Sequence, residues 1–372
     1  MKIMTVVGTR PELIRLSRVI DRLDNHFDHV LVHTGQNFDF ELNQIFFNEL
    51  EIRQPDHFLE AAGGTSAQTI AKVISTIDVL LDEIKPDALL LLGDTNSGLC
   101  VIPAKRRHIP IFHMEAGNRC FDLRVPEEIN RKIIDHLSDI NLPYTENARR
   151  NLLSEGLPAD QIFVTGSPLG EVLDHYQTKI EESNIVETLG LVPGEYFVAS
   201  FHREENVDNP ERLETLLGSM NAIAEDYGFP IVLSVHPRTR KKLDASSVSL
   251  DGRIQDLKPL GFFDYVKLQQ LAYCTLSDSG TITEESAIAG FPAVTLRDTH
   301  ERPEGMDSGI LVMTGISKAA IISGINIARS QFETGEKPTK PAEYEVIDVS
   351  WKIMKLIQSY VPYIKRRTWG EF

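Results

Sequence analysis

The chain has 372 residues, enough for two domains that each bury their own core. Its net charge of −16 leaves no basic footprint for general nucleic-acid binding, although local arginines and helix starts can still hold a small anion. The three cysteines, Cys100, Cys120 and Cys274, lie far apart and form no Cys-x-x-Cys pattern, so free thiols in a reducing compartment and no metal are expected.

The chain opens MKIMTVVGTRPE, which predicts a strand running into a turn and no signal peptide. The apolar runs are far too short to cross a bilayer, so a cytoplasmic protein with no membrane partner is expected. Residues 3–7, 30–33, 88–92, 111–114 and 162–164 are near-continuously hydrophobic, as strands of a parallel sheet covered on both faces are. Pro11 opens an amphipathic helix carrying Leu13, Ile14, Leu16, Ile20 and Leu23. Thr65 and Gln68 form a capping-box pattern ahead of a second helix carrying Ile70, Val73, Ile74, Ile77, Leu81 and Ile84. The alternation then restarts. Residues 197–200, 231–235, 274–277 and 293–296 predict a second strand set, with helices near 212–226, 263–271 and 281–289. The predicted architecture is α/β, with two Rossmann-type parallel-sheet domains and a cleft at the carboxyl ends of their strands. The expected division is residues 1–170, residues 171–355, and a C-terminal helix over 356–372 that packs back on the first domain.

Polar motifs follow the strand runs. Gly8-Thr9-Arg10-Pro11-Glu12 places an arginine at a helix start, where its guanidinium can fork onto a phosphate. Gly93-Asp94-Thr95 delivers a carboxylate at a strand end, and capping of the next helix is an equal alternative. Glu115 ends a buried run and must be functional or paired, with Arg119 or Arg124 as candidate partners. Glu127 and Glu128 open a helix, as dipole-favoured surface acids also do. His202 ends the first strand of the second set and can titrate near neutrality; His236 ends the next. Ser279 and Gly280 precede a helix carrying Glu284 and Glu285, with Gly290 and Pro292 to stop it. Such a turn holds a diphosphate, and the acids behind it can hold sugar hydroxyls. No G-x-G-x-x-G, P-loop or H-E-x-x-H motif occurs, and no nicotinamide or other cofactor is expected.

The segments GTRPE, GDT, EAG, PEE–NR, DSG–EE and RDT–ERPE stand in the order found in the non-hydrolysing UDP-N-acetylglucosamine 2-epimerases, which the chain resembles over roughly residues 2–355. The resemblance implies a GT-B-like fold, a UDP-sugar substrate, no metal and a homodimer. It implies Asp94, Glu115, Glu127 and His202 as catalytic residues, and Arg10, Arg15, His236, Ser279, Gly280, Glu284, Glu285 and Arg297 as substrate-binding ones. The implied reaction eliminates UDP to a 2-acetamidoglycal and adds it back after protonation on the other face of C2, with Asp94 and Glu127 the preferred proton carriers. Arg15 replaces a family lysine. HTGQNFDFELN stands where some members bind a second UDP-GlcNAc as activator, and there only Gln36 matches, with Asp39 in place of a second glutamine. The wording HMEAGNRCFDLRVPEEINRKIIDHLSD and TGSPLGEVL is closer to the UDP-N-acetyl-L-fucosamine synthases of capsule and O-antigen synthesis. A UDP-GlcNAc/UDP-ManNAc 2-epimerase, a hydrolysing epimerase, a GT-B glycosyltransferase and a non-catalytic nucleotide-sugar sensor are the competing readings.

Overall fold

A computed structural model describes residues 1–36, 40–235 and 237–370. Among these the chain divides into two compact units, Met1–Asp174 with Glu345–Phe372, and His175–Tyr344. Each contains one six-stranded sheet.

In the first unit the strands are β1 (Lys2–Val7), β2 (Asp28–His33), β3 (His57–Phe58), β4 (Ala88–Leu92), β5 (Ile111–Met114) and β6 (Ile140–Leu142). They pair in parallel in the order β3-β2-β1-β4-β5-β6. The unbroken apolar runs explain the central strands. Met4, Val6, Leu89, Leu91 and Ile111 are buried and pack with Val73, Ile77 and Leu81 of the helix Ser66–Ile84. That helix starts at the expected capping box: Gln68 N–H donates to the Thr65 hydroxyl and Thr65 N–H to the Gln68 side chain, both at 3.2 Å. Each fully buried Leu or Ile of this kind contributes about 2 kcal/mol of transfer free energy.

The second unit holds β7 (Phe197–Ser200), β8 (Ile231–Ser234), β9 (Ile254–Leu257), β10 (Cys274–Ser277), β11 (Ala293–Thr295) and β12 (Val312–Met313). All pair in parallel in the order β12-β11-β10-β7-β8-β9. Counted from its own first strand, this is the order of the first sheet again. Phe197, Leu233, Leu276 and Val294 pack with Leu213, Leu217 and Met220 of the helix Pro210–Tyr227.

The order reverses between β1 and β4 in one sheet and between β7 and β10 in the other. These are the topological switch points at which such sheets leave a crevice for ligands.

The last helix, Val349–Trp369, belongs to the first unit. Arg22 of the helix Arg10–His26 lies over the Trp351 ring at 4.5 Å, and Lys365 pairs with Asp87 at 2.8 Å. Glu171 takes the Ser350 N–H at 2.8 Å at the helix start. No described helix is long and apolar enough to cross a membrane.

The strand expected at residues 162–164 is not one. Only Ile162 forms a bridge, to Asn141 of β6. The strand itself lies earlier, at Ile140–Leu142, where the buried Asn141 interrupts the apolar run. Its side chain donates to the Asp135 carbonyl at 3.0 Å, which is how the interruption is tolerated.

Candidate active site

In the first unit the expected residues follow adjacent strands. Arg10 begins the helix after β1, Asp94 lies just past β4, Glu115 follows β5 directly, and Glu127 stands in the first turn of the helix Pro126–Leu137. The β1 and β4 turns are joined by Glu12. Its Oε2 accepts Gly8 N–H at 2.5 Å and Thr9 N–H at 3.2 Å, and its Oε1 accepts the Thr95 hydroxyl at 2.8 Å. Burial raises this carboxyl to about 7, against the lowering effect of those hydrogen bonds. Gly8 has no room for a side chain: a Cβ would stand 2.0 Å from the Ser97 hydroxyl. Ser97 bonds Thr34 at 2.7 Å and Gln36 at 3.0 Å, so Gln36 closes this turn from the β2 side. Asn37, Phe38 and Asp39 lie outside the described residues.

Asp94 accepts Arg131 Nε at 2.7 Å, and Asn130 donates to the Asp94 carbonyl at 2.9 Å. Arg131 also reaches Glu128 at 2.9 Å. The two glutamates of the PEE motif therefore differ. Glu128 is fully buried and takes the Cys120 N–H at 3.1 Å, while Glu127 is half-buried. Helix phase explains this, since Glu128 shares its inward face with Arg131, Ile134 and Asp135.

Glu115 sits in the left-handed region at φ 64, an uncommon place for a glutamate. Its Oε2 takes Arg15 Nη1 at 2.7 Å, with both side chains largely buried. Neither arginine suggested by the sequence is its partner in that bond. Arg124 bonds Asp122, and Arg119 pairs with Asp135 at 2.7 Å and forks onto Glu155 at 2.8 and 2.7 Å. His113 Nδ1 lies 2.9 Å from Asp135, and its Nε2 meets the Gly93 carbonyl at 2.8 Å. Burial pushes the Asp135 carboxyl up, but the hydrogen bonds and charges of His113 and Arg119 leave it below the usual range. This buried network fixes the loop that carries Glu115. Sequence reasoning missed Asp135, because its partners stand 16 and 22 residues away in sequence.

In the second unit the switch point is joined by Asp278, a fully buried residue that follows β10. It accepts His202 N–H at 3.0 and 3.1 Å, Arg203 N–H at 3.0 Å and the Asn206 amide at 3.1 Å, all from the segment after β7. The His202 ring, 45% exposed, has Nδ1 at 3.4 Å from the same carboxylate. Ser279 and Gly280 form the expected turn before the helix Ile282–Ala289, which Gly290 ends at φ 74. Ser279 Oγ lies 2.9 Å from Thr281 Oγ1. Glu285 is half-buried, held by the Thr281 hydroxyl and by Gln269 at 2.9 Å.

Two residues expected to contact ligand are buried beside this turn. Glu284 is fully buried and takes Arg302 Nε at 2.6 Å. Arg297 is 2% exposed and donates to Glu301 at 2.6 Å. Burial of each charge demands such a partner; Arg297 Nε and Nη2 stay without one among the described residues and line the same small cavity as Ser279 and Gly280. Glu301 presses on Gly280, where a Cβ would meet its Oε1 at 2.2 Å, and it also takes Arg203 at 3.2 Å. His236 lies outside the described residues.

Taken by themselves, the two units each carry a crevice of polar residues at the switch point of a Rossmann-ordered sheet, which defines a two-domain α/β enzyme of GT-B-like fold. Residues 21–358 match the family model described as UDP-N-acetylglucosamine 2-epimerase. The structure of the UDP-N-acetylglucosamine 2-epimerase from Rickettsia bellii is 48% identical, covers 100% of both chains and superposes with a TM-score of 0.93. The Methanocaldococcus jannaschii UDP-GlcNAc 2-epimerase, solved in complex with UDP-GlcNAc and UDP, is 32% identical over 96% of this chain and 99% of that one, with a TM-score of 0.90. The UDP-2,3-diacetamido-2,3-dideoxy-D-glucuronate 2-epimerase of Pseudomonas aeruginosa is 36% identical over 87% of this chain and 90% of its own. A Polygonum tinctorium UDP-glucosyltransferase, 14% identical with a TM-score of 0.58, over 96% of this chain and 98% of its own, shares the fold alone. The chain belongs to the UDP-N-acetylglucosamine 2-epimerase family, and it is an isomerase.

Proposed function

We propose that this protein epimerises C2 of a UDP-N-acetylhexosamine, converting UDP-2-acetamido-2,6-dideoxy-L-talose into UDP-N-acetyl-L-fucosamine. The carrying observation is the pair of acids after adjacent strands, Asp94 on Arg131 and Glu115 on Arg15, in a chain whose other sheet offers an anion-binding turn at Ser279–Gly280. The C2–H of a 2-acetamido sugar is poorly acidic. It becomes removable as the C1–O bond to UDP breaks and positive charge develops at C1. A carboxylate takes the C2 proton, the C–H electrons form the C1–C2 double bond, and UDP departs with the C1–O pair. Re-addition of UDP to C1, with a proton delivered to the opposite face of C2, completes the change. Asp94 and Glu127 are assigned the two proton transfers, with Glu115 as partner. Arg10, Arg15, His202 and the Ser279–Gly280 turn stabilise departing UDP, and Glu285 holds ribose hydroxyls.

The choice of sugar rests on the segments shared with the L-fucosamine synthases, HMEAGNRCFDLRVPEEINRKIIDHLSD and TGSPLGEVL. The product then serves capsule or O-antigen synthesis, and the working form is a cytoplasmic homodimer. UDP-GlcNAc to UDP-ManNAc conversion is the second reading, favoured by the similarity to the M. jannaschii enzyme. Incubation with each UDP-sugar in heavy water, followed by NMR at C2, tests both. Deuterium at C2 of the talo and fuco sugars supports the first reading. Label confined to the gluco and manno pair selects the second, and product without deuterium at C2 rules out the proton-exchange mechanism. Consumption of UDP-sugar only with an acceptor marks a glycosyltransferase, and release of free sugar with UDP marks a hydrolysing epimerase.

A further inference from the structure

We propose that Glu12 is a positioning residue that sets the direction of the Thr95 hydroxyl beside Asp94, and that its protonated form is the working one. The proposal rests on the epimerase reading above. A glutamate at the third position of a helix ordinarily caps that helix at the surface and stays ionised. Glu12 is 3% exposed and does more: it links the β1 turn, with Gly8 and Thr9, to the β4 turn, where Thr95 follows Asp94.

The geometry fixes where a proton would sit. Oε2 already accepts two backbone N–H groups, so a proton on Glu12 belongs on Oε1, whose partner is Thr95 Oγ1. Ionised Glu12 takes the hydroxyl hydrogen of Thr95. Protonated Glu12 donates to Thr95 Oγ1 instead, which turns that hydroxyl hydrogen outward as a donor next to Asp94. Thr95 is half-buried and so has somewhere to point it.

The surroundings let this carboxyl change charge near neutral pH, with neutral and ionised forms both populated. Burial raises it to about 7. Arg10 and Arg15 stand on the same helix, and Arg15 is engaged by Glu115. Asp94 on the facing turn is engaged by Arg131. Burial holds the neighbouring Cys100 thiol protonated, so it adds no charge beside Glu12.

Glu12→Gln tests this, because the carboxamide can accept from Gly8 and Thr9 while its NH2 occupies the place of the acid proton. The expected wild-type kcat falls roughly tenfold per pH unit above about pH 7, while Glu12→Gln varies less than about twofold over the same range. KM should move less than about threefold in either protein. Thr95→Val should lower kcat at every pH and lose the alkaline limb. Superimposable pH profiles for wild type and Glu12→Gln overturn the proposal, as does a retained limb in Thr95→Val. The link also has a readout without turnover. In protein with 13C-labelled glutamate, the Glu12 carboxyl should titrate at higher pH in Thr95→Val than in wild type, since the Thr95 bond favours the ionised form. An unmoved titration overturns the proposal, whereas absence of C2 exchange in any UDP-sugar overturns the epimerase reading and leaves this measurement standing.

Discussion

The Asp278 carboxylate accepts the backbone N–H groups of both His202 and Arg203 at 3.0–3.1 Å, so one side chain after β10 fixes the first two positions of the turn after Phe201. Its complete burial means that nothing else satisfies those donors if it is lost. Replacement by Asn trades an acceptor for an amide NH2 in a nest of donors. Asp278→Asn is expected to cost about 2–3 kcal/mol of stability. UDP affinity should fall roughly tenfold as the His202 turn loosens. Urea titration and calorimetry with UDP check both; unchanged UDP binding would separate the turn from the ligand.

Gly280→Ala should act locally. Its Cβ would stand 2.2 Å from Glu301 Oε1, and that carboxylate is held by Arg297 and Arg203. Either the turn shifts or the ion pairs break. Affinity for UDP should fall at least about tenfold, with a destabilisation of about 1–3 kcal/mol. Calorimetry with UDP beside a thermal melt measures the two effects.

Asp94→Asn preserves shape and removes charge and basicity. It should bind UDP within about threefold of wild type while kcat falls at least about a hundredfold. Arg131 keeps Glu128 as a partner, so the fold should tolerate the change. Near-normal turnover would remove Asp94 from proton transfer.

Burial of Glu12 also makes stability depend on pH. A carboxyl raised from 4.5 to about 7 binds its proton more tightly in the folded chain than in the unfolded one. Its contribution is therefore fully present below about pH 4.5 and is lost as pH rises towards 7, by about 3 kcal/mol. Glu12→Gln should track the wild type near pH 5 and exceed it near pH 8 by an amount of that order. Denaturation curves at the two pH values decide the matter, and equal differences at both would show that Glu12 does not titrate in this window.

At the first switch point β1 and β4 were legible because near-continuous apolar runs are what buried parallel strands require; β7 and β10, FVAS and CTLS, are shorter and more mixed and were legible from the restart of the strand–helix alternation. His57–Phe58, Ile140–Leu142, Ile254–Leu257 and Val312–Met313 were not, being short or broken by polar residues at or near sheet edges. Within the site, the residues placed after strands were visible as motifs, whereas their partners were not. Arg131 stood in the PEE–NR segment without an assigned role until the fold set it against Asp94, 37 residues earlier. Asp278 stood inside a motif whose neighbours drew attention for their phosphate-turn chemistry. Glu284 carried the right charge but is fully buried on Arg302, and two adjacent glutamates such as Glu127 and Glu128 are told apart only by helix phase.

The helix Val349–Trp369 has a consequence for how the protein is made. It completes the first unit, while the whole of the second unit, His175–Tyr344, is encoded between the two parts of the first. A growing chain therefore presents β1–β6 long before the helix that covers Arg22 and Asp87 exists. The second unit, though later in the gene, can be whole while the first still waits for its last segment. Removal of this helix is therefore expected to leave the β1–β6 unit, rather than its neighbour in sequence, as the aggregation-prone one.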